Sequence, residues 1–120
     1  MNKYEKLFHE VVVATKNNEI HWVQQNRFSN QEFIFNVSLV HRQFKGEFAK
    51  KGELFNLLLV EKKYADPQEE YLDRWIPELH FLSSNELVFS ITDSVVERDE
   101  FYKLVELVES KNAKAKKLFD

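Results

Sequence analysis

The stretch "ATKNNEIHW", residues 14–22, marks where one kind of periodicity stops and another starts. Upstream, Tyr4, Leu7, Phe8, Val11 and Ala14 recur every three or four residues, which predicts an amphipathic helix over residues 3–16. The β-branched run Val11-Val12-Val13 lowers its intrinsic propensity, so this helix must rely on packing. Asn17-Asn18 supplies the left-handed backbone that asparagine tolerates after a helix C-terminus. From Glu19 to Gln25 the period becomes two, with Ile20 and Trp22 on one face and His21 and Val23 on the other. A helix gives way to a strand, and Trp22, a large aromatic beside an isoleucine, belongs to the core rather than to a site.

Working outward, "NRFSN" (26–30) is a loop, and "QEFIFNVSLVHRQF" (31–44) alternates cleanly as a half-buried strand. Phe33, Phe35, Val37 and Leu39 share one face, with Ile34, Asn36, Ser38 and Val40 on the other. "RQFKGEFAKKGE" (42–53), with Gly46 and Gly52, reads as a hairpin connection. "LFNLLLVEKKY" (54–64) is apolar enough for a central strand. In "ADPQEEYLDRW" (65–75), Asp66 at an N-cap, Pro67 at the first helical position and Glu69 at the third predict a short helix or helical turn ending before Pro77. "PELHFL" and "ELVFSIT" flank Ser83-Ser84-Asn85 as a hairpin. Ser94-Val95-Val96-Glu97 has the form of a capping box opening a helix with Phe101, Leu104, Val105 and Val108 on one face. That helix either continues or breaks near Asn112 and resumes through Leu118 and Phe119. The expected fold class is α+β, one domain over residues 1–120: an antiparallel meander of about five strands, with N- and C-terminal helices packed on one face.

Composition narrows the chemistry. A chain of 120 residues with 43% hydrophobic and 14% aromatic content can build one core without staples. Cysteine is absent, which excludes disulfide frameworks, thiolate zinc sites and cysteine nucleophiles. Glu5, His9 and Glu10 interrupt the N-terminal apolar pattern, so no signal-peptide core forms there. No apolar run nears the ~20 residues of a membrane span, and a soluble cytoplasmic protein is expected. With two glycines there is no phosphate-cradling G-x-x-x-x-G-K or G-x-G-x-x-G, and no G-x-S-x-G elbow occurs. His9-Glu10 begins an H-E-x-x-H motif that Val13 breaks. His41 and His80 sit on expected strands, but an enzyme acting through either has no convergent set behind it. No catalytic residue, metal or cofactor is expected.

Charge is uneven. Residues 65–109 hold twelve acids against three bases, a net −9, while the segments on either side are each +3. Asp66, Glu69, Glu70 and Asp73 fall on one helical face, and Glu97, Asp99 and Glu100 cluster at the start of the last helix. Capping and the helix dipole account for Asp66, Glu69 and the second cluster, but leave Asp73 and the surplus unexplained. These seven acids form the expected surface for a basic protein partner, steered in by opposite charge. The alternative is a nucleic-acid surface in which Arg42, Lys45, Lys50 and Lys51 grip phosphate and Phe44 and Phe48 stack on bases. With Glu47 counted that stretch is only +3, and the ribonucleoprotein K/R-G-F/Y-G/A-F signature is missing. A hairpin whose phenylalanines reach back to the core explains it more simply.

Ala14, Thr15, Asn17, Asn18, Ile20 and Trp22 also carry a resemblance. A helix ending in Ala-Thr, then a polar turn, then Ile-x-Trp, is similar to the opening of small bacterial α+β immunity proteins of polymorphic and contact-dependent growth-inhibition toxin systems. Uncharacterised phage or mobile-element proteins of similar look share it. The match spans about a sixth of the chain, and the turn's more usual glycine is missing. The resemblance implies a non-enzymatic protein that binds and blocks a cognate toxin, often a basic nuclease. It carries over no binding residues, since none lie in the matching segment.

Overall fold

Asn2 starts the first helix: its side chain accepts the backbone N–H groups of Tyr4 and Glu5, each at 2.9 Å. Two of the four orphan donors of a helix N-terminus are thereby satisfied. The computed structural model describes residues 2–25, 40–63, 75–112 and 117–118. Within them the chain forms α1 (Lys3–Lys16), β1 (Val23–Gln25), β2 (Val40–Lys50), β3 (Glu53–Lys63), β4 (Trp75–Ser83), β5 (Glu86–Ile91) and α2 (Arg98–Lys111). The strands make one antiparallel sheet in the order β1-β2-β3-β4-β5, so the leucine-rich β3 is central.

Helix α1 ends as expected, with Asn18 at φ 59° and the Glu19 N–H returning to the Ala14 carbonyl at 2.8 Å. The strand expected over Glu19–Gln25 is shorter. Pairing begins only at Val23, opposite Lys45, while Ile20 and Trp22 fold over β2. Their shared face is the buried one, and His21 is exposed.

The hairpin connection expected over 42–53 is corrected. Strand β2 runs through to Lys50, and the turn is the two residues Lys51 and Gly52, at φ 51° and 79°. Ser84 and Asn85, at φ 52° and 67°, turn β4 into β5 in the same way. Positive φ at both central residues matches the turn to the right-handed twist of the strands. Gly46 is not a turn residue. It lies mid-strand, where an added Cβ would come 2.7 Å from Ile20 Cγ2 and 3.1 Å from Trp22 Cε3.

One further expectation changes. Ser94 does not cap α2, because its hydroxyl is 2.7 Å from that of Thr92, and the Val95 N–H bonds the Thr92 carbonyl in a turn. The helix starts three residues later, with Glu97 at the N-cap. Pro77 sits inside β4 opposite Glu61, in the strand expected for "PELHFL", and Trp75 is already strand. The rest of the expected helix over 65–75 and the alternation over 31–39 lie outside the described residues. At the other end, α2 stops at Lys111, Asn112 turns extended at ψ 128°, and Lys117 and Leu118 are again helical.

Alternation assigns the two faces of the sheet. Phe44, Phe48, Leu57, Leu59, Leu79, Phe81 and Ile91 form one core with Phe8, Val11 and Ala14 of α1 and Phe101, Leu104, Val105 and Val108 of α2. Both helices therefore pack on the same face. A smaller cluster of Leu58 and Val60, with Leu82 against it, lies on the other.

Gly46→Ala is expected to destabilise the fold by about 1–3 kcal/mol in urea unfolding, the usual cost of overpacking a close contact. Combined with Ile20→Ala, which removes the clashing methyl, the losses are expected to be less than additive. Strict additivity would show that the two residues do not press on each other.

A groove between the two helices as the candidate binding site

The way each helix joins the sheet sets their relative direction. Helix α1 leads into edge strand β1 and α2 follows edge strand β5, each through six residues. Near their starts the rings of Phe8 and Phe101 meet edge to face at 4.8 Å. At the far end Asn112, just past α2, accepts the Gln24 N–H at 3.3 Å. The helices thus run in the same sense and leave a groove of about 880 Å³ between them. Its floor is apolar, formed by Phe8, Val12, Val95, Val96, Leu104 and Leu107. Its rim carries Glu5, Glu97, Glu100 and Glu106, against Lys16, Lys103 and His9.

The rim acids are not all consumed by the fold. Glu97 holds the N-cap position but makes no side-chain capping bond. Lys103 lies 3.5 Å from Glu100, an exposed pair on adjacent turns. Among the described residues the carboxylates of Glu5, Glu97 and Glu106 meet no cation. Of the acids singled out from sequence, Glu97 and Glu100 line the groove, and Asp99 is exposed beside it. Asp66, Glu69, Glu70 and Asp73 lie outside the described residues. Glu5, Glu106 and the apolar floor were missed. A signal existed: Val12 and Leu107 are apolar yet fall off the buried stripes of their helices.

The basic-aromatic stretch does not form a stacking platform. Phe44 is fully buried and Phe48 is 8% exposed, and a ring inside the core cannot hold a base. Arg42 packs over Phe44 and bridges the Glu61 and Glu109 carboxylates. Burial alone would lower the Arg42 pKa, but hydrogen bonds to Glu61 and Glu109 hold it above its ordinary value. Lys50 is paired with Glu10 at 2.5 Å. Lys45 is half-buried, and Lys51 is exposed in the turn.

The histidines do not converge. His41 is exposed at the irregularity of β2, whereas His80 is buried on β4 opposite Leu58. His80 Nδ1 lies 2.7 Å from the Ser90 hydroxyl and Nε2 lies 3.5 Å from Glu78. Lys62 Nζ is also 3.5 Å from Glu78. The His80 interaction, opposed by burial and helped by Lys62, holds the Glu78 carboxyl below its usual range. Among the described residues, no group of three or more histidines and acids could hold a metal ion. Nor is any helix of those residues long and apolar enough to cross a membrane. No protein-family model, curated protein or solved structure matches the chain.

Two measurements check these networks. A carboxyl with a depressed folded pKa stabilises fully above its unfolded value, here 4.5, and that contribution is lost as pH falls through the lower folded value. Urea unfolding from about pH 5 to pH 3 is therefore expected to show a shallower loss of stability in Glu78→Gln than in the parent. Arg42→Ala is expected to cost about 1–3 kcal/mol, because it strands the largely buried Glu61 carboxylate. Adding Glu61→Gln should recover part of that loss.

Proposed function

We propose that the chain is a non-enzymatic protein-binding module that receives a basic protein partner along the α1–α2 groove, as an immunity protein occludes its toxin. The observation that carries this reading is the groove itself: an apolar floor rimmed by the carboxylates of Glu5, Glu97 and Glu106, which form no ion pair among the described residues. Unspent charge around apolar surface suits the architecture of an interface, with a desolvated centre and a polar rim. The net −9 of residues 65–109 adds a field that speeds encounter with a basic partner. The Ala-Thr to Ile-x-Trp opening adds the immunity-protein analogy and bears on the fold start alone. The nucleic-acid alternative has less support, since its two phenylalanines are core and two of its cations are paired internally.

Affinity capture of the tagged, nuclease-treated protein from its own organism at moderate salt tests the reading. One dominant basic protein is expected. Its affinity should fall about tenfold or more, with a weaker salt dependence, in the Glu97→Lys/Glu100→Lys variant. Glu53→Lys, at the start of β3 and outside residues 65–109, should change it far less. Equal affinity for parent and groove variant would overturn the surface assignment.

A further inference from the structure

Resting on the binding reading above, we infer that the segment seated in the groove is an amphipathic α-helix of the partner, antiparallel to α1 and α2, with lysine or arginine in its last turn. The walls of the groove are helices, whose backbone groups are satisfied internally and offer nothing to an extended peptide. A strand laid there would leave its own N–H and C=O groups unpaired, whereas a helix arrives with them already bonded. A small ligand is the poorer fit, because such ligands are buried on most of their surface while this groove is open along one side. A helix needs cover on one face only. The apolar surface left in the groove also lies on the helices: Val12 of α1 and Leu107 of α2, both half-buried, line it beside the buried Phe8 and Leu104. From Glu5 to Lys16, at ~1.5 Å per residue, α1 offers about 16 Å of wall, room for about three turns.

The polarity follows from the rim. Glu5, Glu97 and Glu100 stand at the end where both helices begin, Glu100 beside Lys103, while Glu106 lies farther along α2 and Lys16 stands at the other end. A partner helix running the opposite way places its C-terminus at the acidic end. There its negative dipole end faces the positive ends of α1 and α2, and lysine or arginine is the residue that both its own last turn and the three glutamates favour. A helix running in the same sense would bring its positive end to theirs, and basic residues in its first turn would oppose its own dipole.

The test is an NMR titration of the isotope-labelled full chain with three synthetic peptides of about 18 residues, the first two of one leucine, alanine and lysine composition, long enough to be helical when bound. The first is an amphipathic helix with its lysines in the last turns, the second has them in the first turns, and the third matches the first with a central proline. The first is expected to shift the amides of His9, Val12 and Leu107 and to gain helical circular dichroism, binding about tenfold more tightly than the other two. In Glu5→Lys/Glu97→Lys protein the preference between the first two should vanish. Equal binding of the proline peptide at the same amides would overturn the helical occupant while leaving the binding surface intact. Equal binding of the first two by the parent protein would overturn the orientation. No shift at these amides with any peptide would overturn the inference outright. The capture experiment, which does not depend on the partner's secondary structure, judges the binding surface separately.

Discussion

The indole of Trp22 resting on the bare backbone of Gly46 is the contact on which the arrangement of this molecule depends. Trp22 is fully buried, and so its N–H must find a partner. It donates to the Thr15 hydroxyl at 3.0 Å, which in turn donates to the Val11 carbonyl at 2.7 Å. One side chain thus ties the last turn of α1 to the middle of β2. It can lie that low only because residue 46 has no side chain. The polar turn at Asn17 and Asn18 reverses the chain, and the tryptophan fixes where the reversed chain lands.

Helix α2 is held differently, by polar contacts near its C-terminal end. Arg42 reaches from β2 to Glu109, and Asn112, 2% exposed, exchanges hydrogen bonds with Gln24 of β1 through its amide. Between the helices the Phe8–Phe101 contact closes the base. The walls of the groove are therefore fixed by a buried indole on one side and an ion pair with an amide on the other. Its rim carboxylates take no part in either. Among the described residues, the ion pairs that tie the elements together and the rim carboxylates of Glu5, Glu97 and Glu106 are separate sets.

Where the sequence reading held, it rested on local period. The stripes Phe8-Val11-Ala14 and Phe101-Leu104-Val105-Val108 are the buried faces of α1 and α2, and the leucine run of β3 is the central strand. Where it failed, one local signal stood in for a long-range contact. The two glycines of residues 42–53 leave the turn of that hairpin unplaced by local signals: Gly52 makes the turn, while Gly46 admits Trp22 from another element. Ser94 and Glu97 have capping-box spacing, yet Thr92 engages Ser94 first, and α2 starts later.

The amino-acid sequence by itself determined the α+β class, the two terminal helices with their buried stripes, the hairpin connection at Ser83-Ser84-Asn85 and the uneven charge. Each follows from residues within a turn or two of one another, or from composition. Tertiary structure alone decided which charges are spent and which remain. Arg42 and Lys50 became internal pairs, Phe44 and Phe48 became core, and Glu5 was brought to the same rim as Glu97 and Glu100. The physical reason is that a side chain's surroundings are set by partners far away in the chain. Periodicity reports which face a residue occupies, and only packing reports what that face meets.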